Sequence, residues 1–415
     1  MSTVRKGQST LRIRTALSGV AAAAAAVLLG QATALADTAA PPAAAPTPAA
    51  PVAVFQAGSE GYDTFRIPAV VRTRGGALLA FAEGRRTGAG DTGDIDLVLK
   101  RSTDGGRTWG PLAVVGDNGP NTFGNPTPVV DPRTGRVVLL STHNAGTATE
   151  GAILRGQVSA QDSRRVWVQH SDDEGRTWSA PTDITDSVKA PDWRWYATGP
   201  VHAIALRHGP HAGRLVAPAN HSAAPAPGST DTGAEAKYYG AHLIYSDDGG
   251  TSWRLGAVDD SVDGAVNGNE TTVAELPDGR LYVNSRDQNG TSAGTRAVAY
   301  SRDGGRSFTA PLTPDPQLVC PVVQGSTLQT RGHGPLLFAA PSQPTTRAGM
   351  AVRASRDGGA HWTAGLVLSS APAAYSDLVE LPGRRVGLLY ETGQTGAYQT
   401  ITFQALTLTQ ILAAG

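Results

Sequence analysis

Ser102-Thr103-Asp104-Gly105-Gly106-Arg107-Thr108-Trp109 is the stretch on which the reading of this chain turns. It recurs as SDDEGRTW from Ser171, SDDGGTSW from Ser246, SRDGGRSF from Ser301 and SRDGGAHW from Ser355. Each copy follows a short alternating run (DIDLVLKR, RVWVQH, AHLIY, RAVAY, MAVRA) and leads into another extended stretch. The octet has the chemistry of a hairpin turn. Asp at its third position accepts hydrogen bonds from nearby backbone N–H groups. Gly at the fifth adopts a positive φ without a steric cost. The terminal Trp or Phe anchors the turn in apolar surroundings. A unit recurring at such intervals cannot bury its own apolar face and must stack on its neighbours. Successive octets start 69, 75, 55 and 54 residues apart, which leaves room for four strands and a long loop in each unit.

Composition agrees with strands and turns. The 415 residues include 50 Gly and 28 Pro, and apolar stretches are mostly short. Net charge is zero, so no electrostatic footprint for nucleic acid is visible. The balance is uneven along the chain, however. Residues 1–36 hold Arg5, Lys6, Arg12 and Arg14 and no acid, so the remainder has a small acidic excess. That segment reads as a signal peptide: a basic start, an apolar run from Ala16 to Gly30, and the small-x-small triplet Ala34-Leu35-Ala36. The apolar run is shorter than the ~20 residues a membrane span needs. A secreted, extracellular protein without a membrane anchor in its mature form is therefore expected. Residues 37–51, almost entirely Ala, Pro and Thr, read as a linker that cannot bury a core. Cys320 is the single cysteine, so no internal disulfide forms, and it is expected to be a buried apolar residue.

The octet is the Asp box, and with it the chain resembles the sialidases, glycoside hydrolases that release terminal sialic acid. Asp boxes also occur in propellers of other function, so they speak first to fold. The resemblance implies an all-β fold, a six-bladed β-propeller with four antiparallel strands per blade, spanning residues 52–415. About 360 residues at ~60 per unit fits six blades of a closed radial array.

Sialic acid poses an unusual chemical problem. Its anomeric carbon bears a carboxylate, which calls for fixed guanidinium groups and repels an anionic nucleophile. Three arginines stand where the resemblance puts a carboxylate clamp: Arg66 in Phe65-Arg66-Ile67-Pro68, Arg286 in Asn284-Ser285-Arg286-Asp287, and Arg347 ahead of the last box. By the same resemblance Glu391, in Leu389-Tyr390-Glu391, orients the first arginine, and Arg85 contacts a sugar hydroxyl. Tyr375 is the implied nucleophile, with Glu270 as its base and the arginines expected to lower its pKa. Glu275 is a competitor of Glu270, but its setting, Glu275-Leu276-Pro277-Asp278-Gly279, reads as a strand entering a turn. Three aspartates crowd Gly90-Asp91-Thr92-Gly93-Asp94-Ile95-Asp96. The resemblance selects Asp91 as general acid, which asks for a raised pKa, and leaves Asp94 and Asp96 to the following strand. Asn125 to Pro128 and Trp193 to Pro200 lie where the family supplies pocket walls. Val201 departs from the family pattern and is expected to reshape the aglycone side, with His202 a supporting or exposed residue.

The implied reaction is double displacement with retention, through a covalent sialyl-tyrosine. The use of tyrosine as nucleophile is a recorded exception to the two-carboxylate scheme of glycosidases. No cofactor or metal is required, and no His/Cys cluster has zinc-ligand spacing. Expected partners are sialylated glycans, with the protein a monomer. Two rivals share the residues: a non-catalytic sialic-acid-binding propeller and a trans-sialidase. A glycosidase for neutral glycans has no use for three aligned arginines.

Overall fold

The computed structural model describes residues 50–414; the expected signal peptide and nearly all of the linker lie outside them. The alternating runs become strands, grouped as antiparallel meanders. A first strand, β1 (Val52–Gln56), precedes the meander β2 (Thr64–Arg72), β3 (Leu78–Arg85), β4 (Ile95–Ser102) and β5 (Ala113–Gly116). The next comprises β6 (Thr122–Val130), β7 (Val137–Asn144), β8 (Arg165–Ser171) and β9 (Thr182–Asp183). A single parallel bridge, Ile95 to Thr122, joins these two meanders into one eight-stranded sheet. A five-stranded sheet holds β10 (Trp193–Thr198), β11 (Ile204–Ala205), β12 (Leu215–Ala223), β13 (Tyr239–Ser246) and β14 (Arg254–Asp259). Two four-stranded sheets follow. One contains β15 (Gly268–Glu275), β16 (Leu281–Asp287), β17 (Arg296–Ser301) and β18 (Thr313–Pro314). The other contains β19 (Ser326–Gln329), β20 (Leu336–Pro341), β21 (Met350–Ser355) and β22 (Leu366–Val367). Last come β23 (Ala373–Leu381), β24 (Arg385–Thr392) and β25 (Thr400–Thr407), and β1 returns to pair with β25. Of the helices, α1 (Glu150–Leu154) is the one that adjoins the site described below.

The inner strands of the meanders pack side by side in a ring: β2 on β6, β6 on β10 and β11, β11 on β15, which the neighbouring β12 also meets, β15 on β19, β19 on β23, and β23 back on β2. The arrangement is all-β and propeller-like. Both faces of these inner strands are covered, as the unbroken burial of β15 and β19 records. The pairing of β1 with β25 closes the ring, adding a strand from the start of the described chain as the outermost strand of the last sheet. Cys320 is buried, as its chemistry suggested.

Each Asp box follows the third strand of its meander and has one hydrogen-bond pattern. In the first, Asp104 Oδ1 accepts the backbone N–H groups of Arg107 and Thr108, both at 3.0 Å, and Oδ2 accepts the Thr108 hydroxyl at 2.6 Å. Ser102 Oγ donates to Asp104 and accepts the Gly106 N–H at 2.9 Å. In the last box His361 Nδ1 replaces the hydroxyl, 2.6 Å from Asp357. The fifth-position glycines all have positive φ, from 81° at Gly175 to 96° at Gly359. These glycines also mark the seams between sheets. A Cβ at Gly106 would lie 2.1 Å from Phe403 of β25, one at Gly250 2.7 Å from Val138 of β7, and one at Gly359 2.4 Å from Tyr282 of β16. Every box therefore sits against the preceding meander. The terminal aromatics follow: Trp109 meets Phe403 edge-on at 5.4 Å and Trp178 meets Phe81 at 5.8 Å.

Gly105 and Gly106 separate backbone strain from seam packing. Both have positive φ, 78° and 88°, but a Cβ at Gly105 meets nothing within 4 Å. Gly105→Ala should lower the unfolding free energy by about 1–2 kcal/mol, the left-handed term alone. Gly106→Ala should add roughly 1–3 kcal/mol for overpacking against Phe403. Urea denaturation of the two variants checks the difference, and equal losses would show that the seam does not matter.

Candidate functional site

Four inner strands break register at the same end. The irregularities lie between Arg66 and Ala69 on β2, Gly124 and Thr127 on β6, Gly268 and Thr271 on β15, and Ala373 and Ser376 on β23. A bulge bends a strand and re-aims a side chain. Each of these carries a residue of the site: Arg66, Asn125, Glu270 and Tyr375. Ile67 and Asn125 have φ of 60° and 54°. For a β-branched residue such as Ile67 that is a strained conformation, which the surroundings must hold in place.

The holding group is Glu391. Its carboxylate is fully buried on β24 and accepts three hydrogen bonds: from Arg66 Nε at 2.7 Å, from the Ile67 backbone N–H at 2.9 Å, and from the Tyr375 backbone N–H at 3.1 Å. Burial opposes the Arg66 charge, but Glu391, with Tyr375 and Tyr398, more than restores it, so the guanidinium is held firmly charged. Glu391 thus orients the first arginine, in the geometry the sequence suggested, and fastens the nucleophile candidate's backbone as well.

Tyr375 lies among cations. Its hydroxyl donates to Glu270 Oε1 at 2.5 Å, and Arg286 Nη1 reaches Glu270 Oε2 at 2.8 Å and the phenol oxygen at 3.5 Å. The guanidinium carbons of Arg66 and Arg347 stand 5.1 and 5.6 Å from the centre of its ring. The three arginines, scattered over the sequence, converge on one side chain. The expected lowering of the Tyr375 pKa is overturned, however. Burial and the Glu270 charge push it well above the ordinary phenol value, outweighing Arg286, Arg66 and Arg347. The unliganded side chain is a neutral phenol.

Asp91 and Arg85 form the neighbouring cluster. Arg85 is buried and gives Nε and Nη2 to Glu83 Oε2, at 3.0 and 2.6 Å. Its Nη1 binds the loop carbonyls of Ala89 and Gly90 and Asp91 Oδ1, the last at 2.8 Å. One Nη2 hydrogen is left for a ligand. The Asp91 side chain is 66% exposed on this loop. Desolvation would raise its pKa, but the charges of Arg85 and Arg66 and the Arg85 hydrogen bond bring it below the ordinary value. In the unliganded site this is opposite to the direction a general acid needs. Behind Arg85 the chain of bonds continues inward. Glu83 Oε1 accepts the Asn125 N–H at 2.8 Å, and Asn125 Oδ1 accepts Arg164 Nη1 at 2.8 Å. Arg164 also donates to Thr142 at 2.7 Å and stacks over Trp195 at 4.1 Å, buried without a carboxylate partner among the described residues.

Other expectations fare differently. Asp96 belongs to β4, where it accepts from Tyr62 and Arg86, each at 2.7 Å; Asp94 precedes the strand and pairs with Arg86 at 3.2 Å. Glu275 lies at the opposite end of β15 from Glu270 and caps the backbone of Arg207 and His208. Val201 is a correction: its side chain is fully buried, so it cannot wall an aglycone pocket. His202 is buried, with Nδ1 2.7 Å from Asp377. Sequence reasoning missed Tyr398, whose ring lies 3.9 Å from the Arg66 guanidinium and whose hydroxyl accepts from Arg347 at 2.9 Å. It also missed Glu83 and Arg164, and the short bond from the Tyr239 hydroxyl to Glu150 at the start of α1. A lone aromatic in the loop Gly393-Gln394-Thr395-Gly396-Ala397-Tyr398 was the one available signal.

Comparison with known proteins bears on the family of the chain. A family model described as a BNR repeat-like domain matches residues 76–389. The chain is 35% identical over 349 residues to a sialidase of Micromonospora viridifaciens, covering 81% of this chain and 51% of that protein. It therefore spans about half the length of that relative. An exo-alpha-sialidase of Aspergillus fumigatus is 33% identical over 384 residues, covering 85% of this chain and 86% of the relative. Among solved structures, Hadza microbial sialidase Hz136 superposes with a TM-score of 0.75 at 29% identity, covering 87% of this chain and 69% of that one.

Glu391 and Asp91 should differ sharply in their effect on stability. Glu391→Ala leaves the buried Arg66 charge and two N–H groups without their acceptor and should lower the unfolding free energy by about 3–5 kcal/mol. Asp91→Ala, on an exposed loop, should change it by less than about 1 kcal/mol. Denaturant titration of both variants is the check.

Proposed function

The chain belongs to the sialidase family, and on that footing we propose that it is an exo-α-sialidase, hydrolysing terminal α-linked sialic acids of glycoconjugates with retention of configuration. One observation carries this reading: the Tyr375 hydroxyl, bonded to Glu270, stands amid the guanidinium groups of Arg66, Arg286 and Arg347. A carboxylate nucleophile there would face the substrate's own carboxylate. A neutral phenol does not, and it acquires charge only as it attacks.

In the first step the arginines hold the sialic acid carboxylate. Asp91 gives its proton to the glycosidic oxygen, the bond from that oxygen to the anomeric carbon breaks, and the Tyr375 oxygen bonds to the carbon. The phenolic proton passes to Glu270 along the existing hydrogen bond. In the second step Asp91, now a carboxylate, takes a proton from water as the water oxygen attacks the same carbon. The tyrosyl–carbon bond breaks and the phenol recovers its proton from Glu270. Two inversions give net retention. The substrate also resolves the Asp91 difficulty. Its carboxylate offsets the arginine field that holds Asp91 ionised in the empty site, and burial by the sugar favours the acid form. Arg85 positions the Asp91 loop and has one N–H left for a sugar hydroxyl. The protein is taken to be secreted through its N-terminal 36 residues, to carry the following linker to residue 51, and to act as a monomer. The eight-stranded sheet, resolved into its two meanders, supports a count of six blades, four strands to each except the third, where the short β11 is a fifth.

Tyr375→Phe should reduce turnover of an α-sialyl-lactose by about 10²-fold or more, on the scale expected for loss of a nucleophile. A fluorinated sialosyl fluoride should label the Tyr375 peptide, as read by mass spectrometry. Unchanged turnover together with no label would end the assignment, and product analysis with added lactose separates hydrolysis from transfer. The Arg164–Asn125–Glu83–Arg85 chain predicts a second result. Arg164→Met should slow hydrolysis of sialyl-lactose about tenfold, a fraction of the usual general-acid contribution, yet leave aryl sialosides with acidic phenol leaving groups within about twofold. Equal losses on both substrates would mean that Arg164 supports the fold and not Asp91.

A further inference from the structure

Three inner strands carry a candidate catalytic residue near one end and open at the other onto a separate cavity. On β2 these are Arg66 and Arg72, on β15 Glu270 and Glu275, and on β23 Tyr375 and Leu381. Six residues of extended chain put Arg66 and Arg72 about 20 Å apart. The cavity enclosed by the far ends has a volume of about 1170 Å³ and includes none of the candidate catalytic residues.

Its charge is lopsided. Arg72, Arg74, Arg207, Arg331 and Arg384 line it, against the carboxylates of Glu275 and Glu380 alone. Both acids are already engaged. Glu275 accepts the backbone N–H groups of Arg207 and His208, at 2.7 and 2.9 Å, and Glu380 pairs with Arg331 at 3.0 Å. Arg72, Arg207 and Arg384 have no carboxylate within ion-pair distance among the described residues.

A second feature points inward. His202 lines the same cavity and is only 8% exposed. Its Nδ1 lies 2.7 Å from Asp377, a fully buried carboxylate that also accepts the Val70 and His202 N–H groups and the Ser326 hydroxyl. A carboxylate accepts only, so Nδ1 is the donor and the ring is fixed in orientation. Nε2 has no hydrogen-bond partner among the described residues; in the doubly protonated ring it too is a donor. Guanidinium groups without carboxylate partners and an oriented imidazole lining one cavity suit oxygen anions. The volume exceeds that of an ordinary small-molecule pocket, so a single carboxylate would leave most of the arginines unmatched.

We propose that this cavity, on the face opposite the catalytic site, binds a small multivalent oxyanion, the clustered phosphate or sulfate groups of a metabolite or glycan fragment. Arg72, Arg207 and Arg384 engage it at the mouth and His202 at the floor. The inference is independent of the catalytic reading.

Calorimetric titration of the full chain at low salt, with pyrophosphate in one arm and a disulfated heparin disaccharide in the other, tests it. Saturating free sialic acid keeps the catalytic arginines occupied throughout. At least one probe should bind saturably, and the tighter one identifies phosphate or sulfate as the source. Arg207→Gln/Arg384→Gln should weaken that binding about tenfold or more, the loss of about 1.4 kcal/mol or greater, with sialoside hydrolysis and melting temperature unchanged. His202→Asn should weaken it as well. Absence of saturable binding by either probe would overturn the proposal. So would binding that the double variant leaves intact, which would mark these arginines as a solvated rim.

Discussion

A fully buried carboxylate with three donors is the constraint from which the site is built. Glu391 accepts from Arg66, from the backbone of Ile67 and from the backbone of Tyr375, and so ties β24 to two inner strands at once. Its charge is tolerated in the interior because a guanidinium and two N–H groups satisfy it together. The same contacts hold Ile67 in a conformation that a β-branched residue avoids. The first arginine and the phenol are therefore placed by one group rather than by two independent accidents of packing. Asp377 makes a second such knot farther along β23, joining β2, β19 and the segment containing His202.

Rigidity is distributed in a way that makes these knots possible. The Asp boxes lie at the seams, each against the preceding meander, with glycines that admit a neighbour's ring or branched chain. Pairing of β1 with β25 fixes the circumference. With the outer parts locked, four inner strands break register at one end without unravelling, and those bulges aim Arg66, Asn125, Glu270 and Tyr375.

The electrostatics of the site oppose its two proton-bearing groups. Burial and Glu270 keep Tyr375 protonated, and Arg85 and Arg66 keep Asp91 ionised. Each is one proton transfer from the form the proposed chemistry uses. On the proposed mechanism an anionic substrate offsets the arginine field at Asp91, so that specificity for an acidic sugar and the timing of the proton transfers would have a common origin.

Much of this was legible in the order of residues. The repeated octet, with Asp at its third position and Gly at its fifth, dictated turns between strands, because that turn needs those groups whatever lies around it. Arg66, Arg286, Arg347, Glu270, Tyr375 and Glu391 were nameable through the family resemblance, which stretches such as Phe65-Arg66-Ile67-Pro68 and Asn269-Glu270-Thr271 carry. What no local pattern carried were the relations across blades. Tyr398 matters through Arg66, more than 300 residues earlier, and Arg164 through Asn125 and Glu83 on other strands. The fate of Val201, buried instead of lining a pocket, depended on neighbours brought by closure of the ring. The expected lowering of the Tyr375 pKa was reversed, and the Asp91 shift ran against what a general acid needs, once burial was weighed against specific charges. A chain order lists which charges exist; only their distances and the depth of their surroundings determine which one prevails.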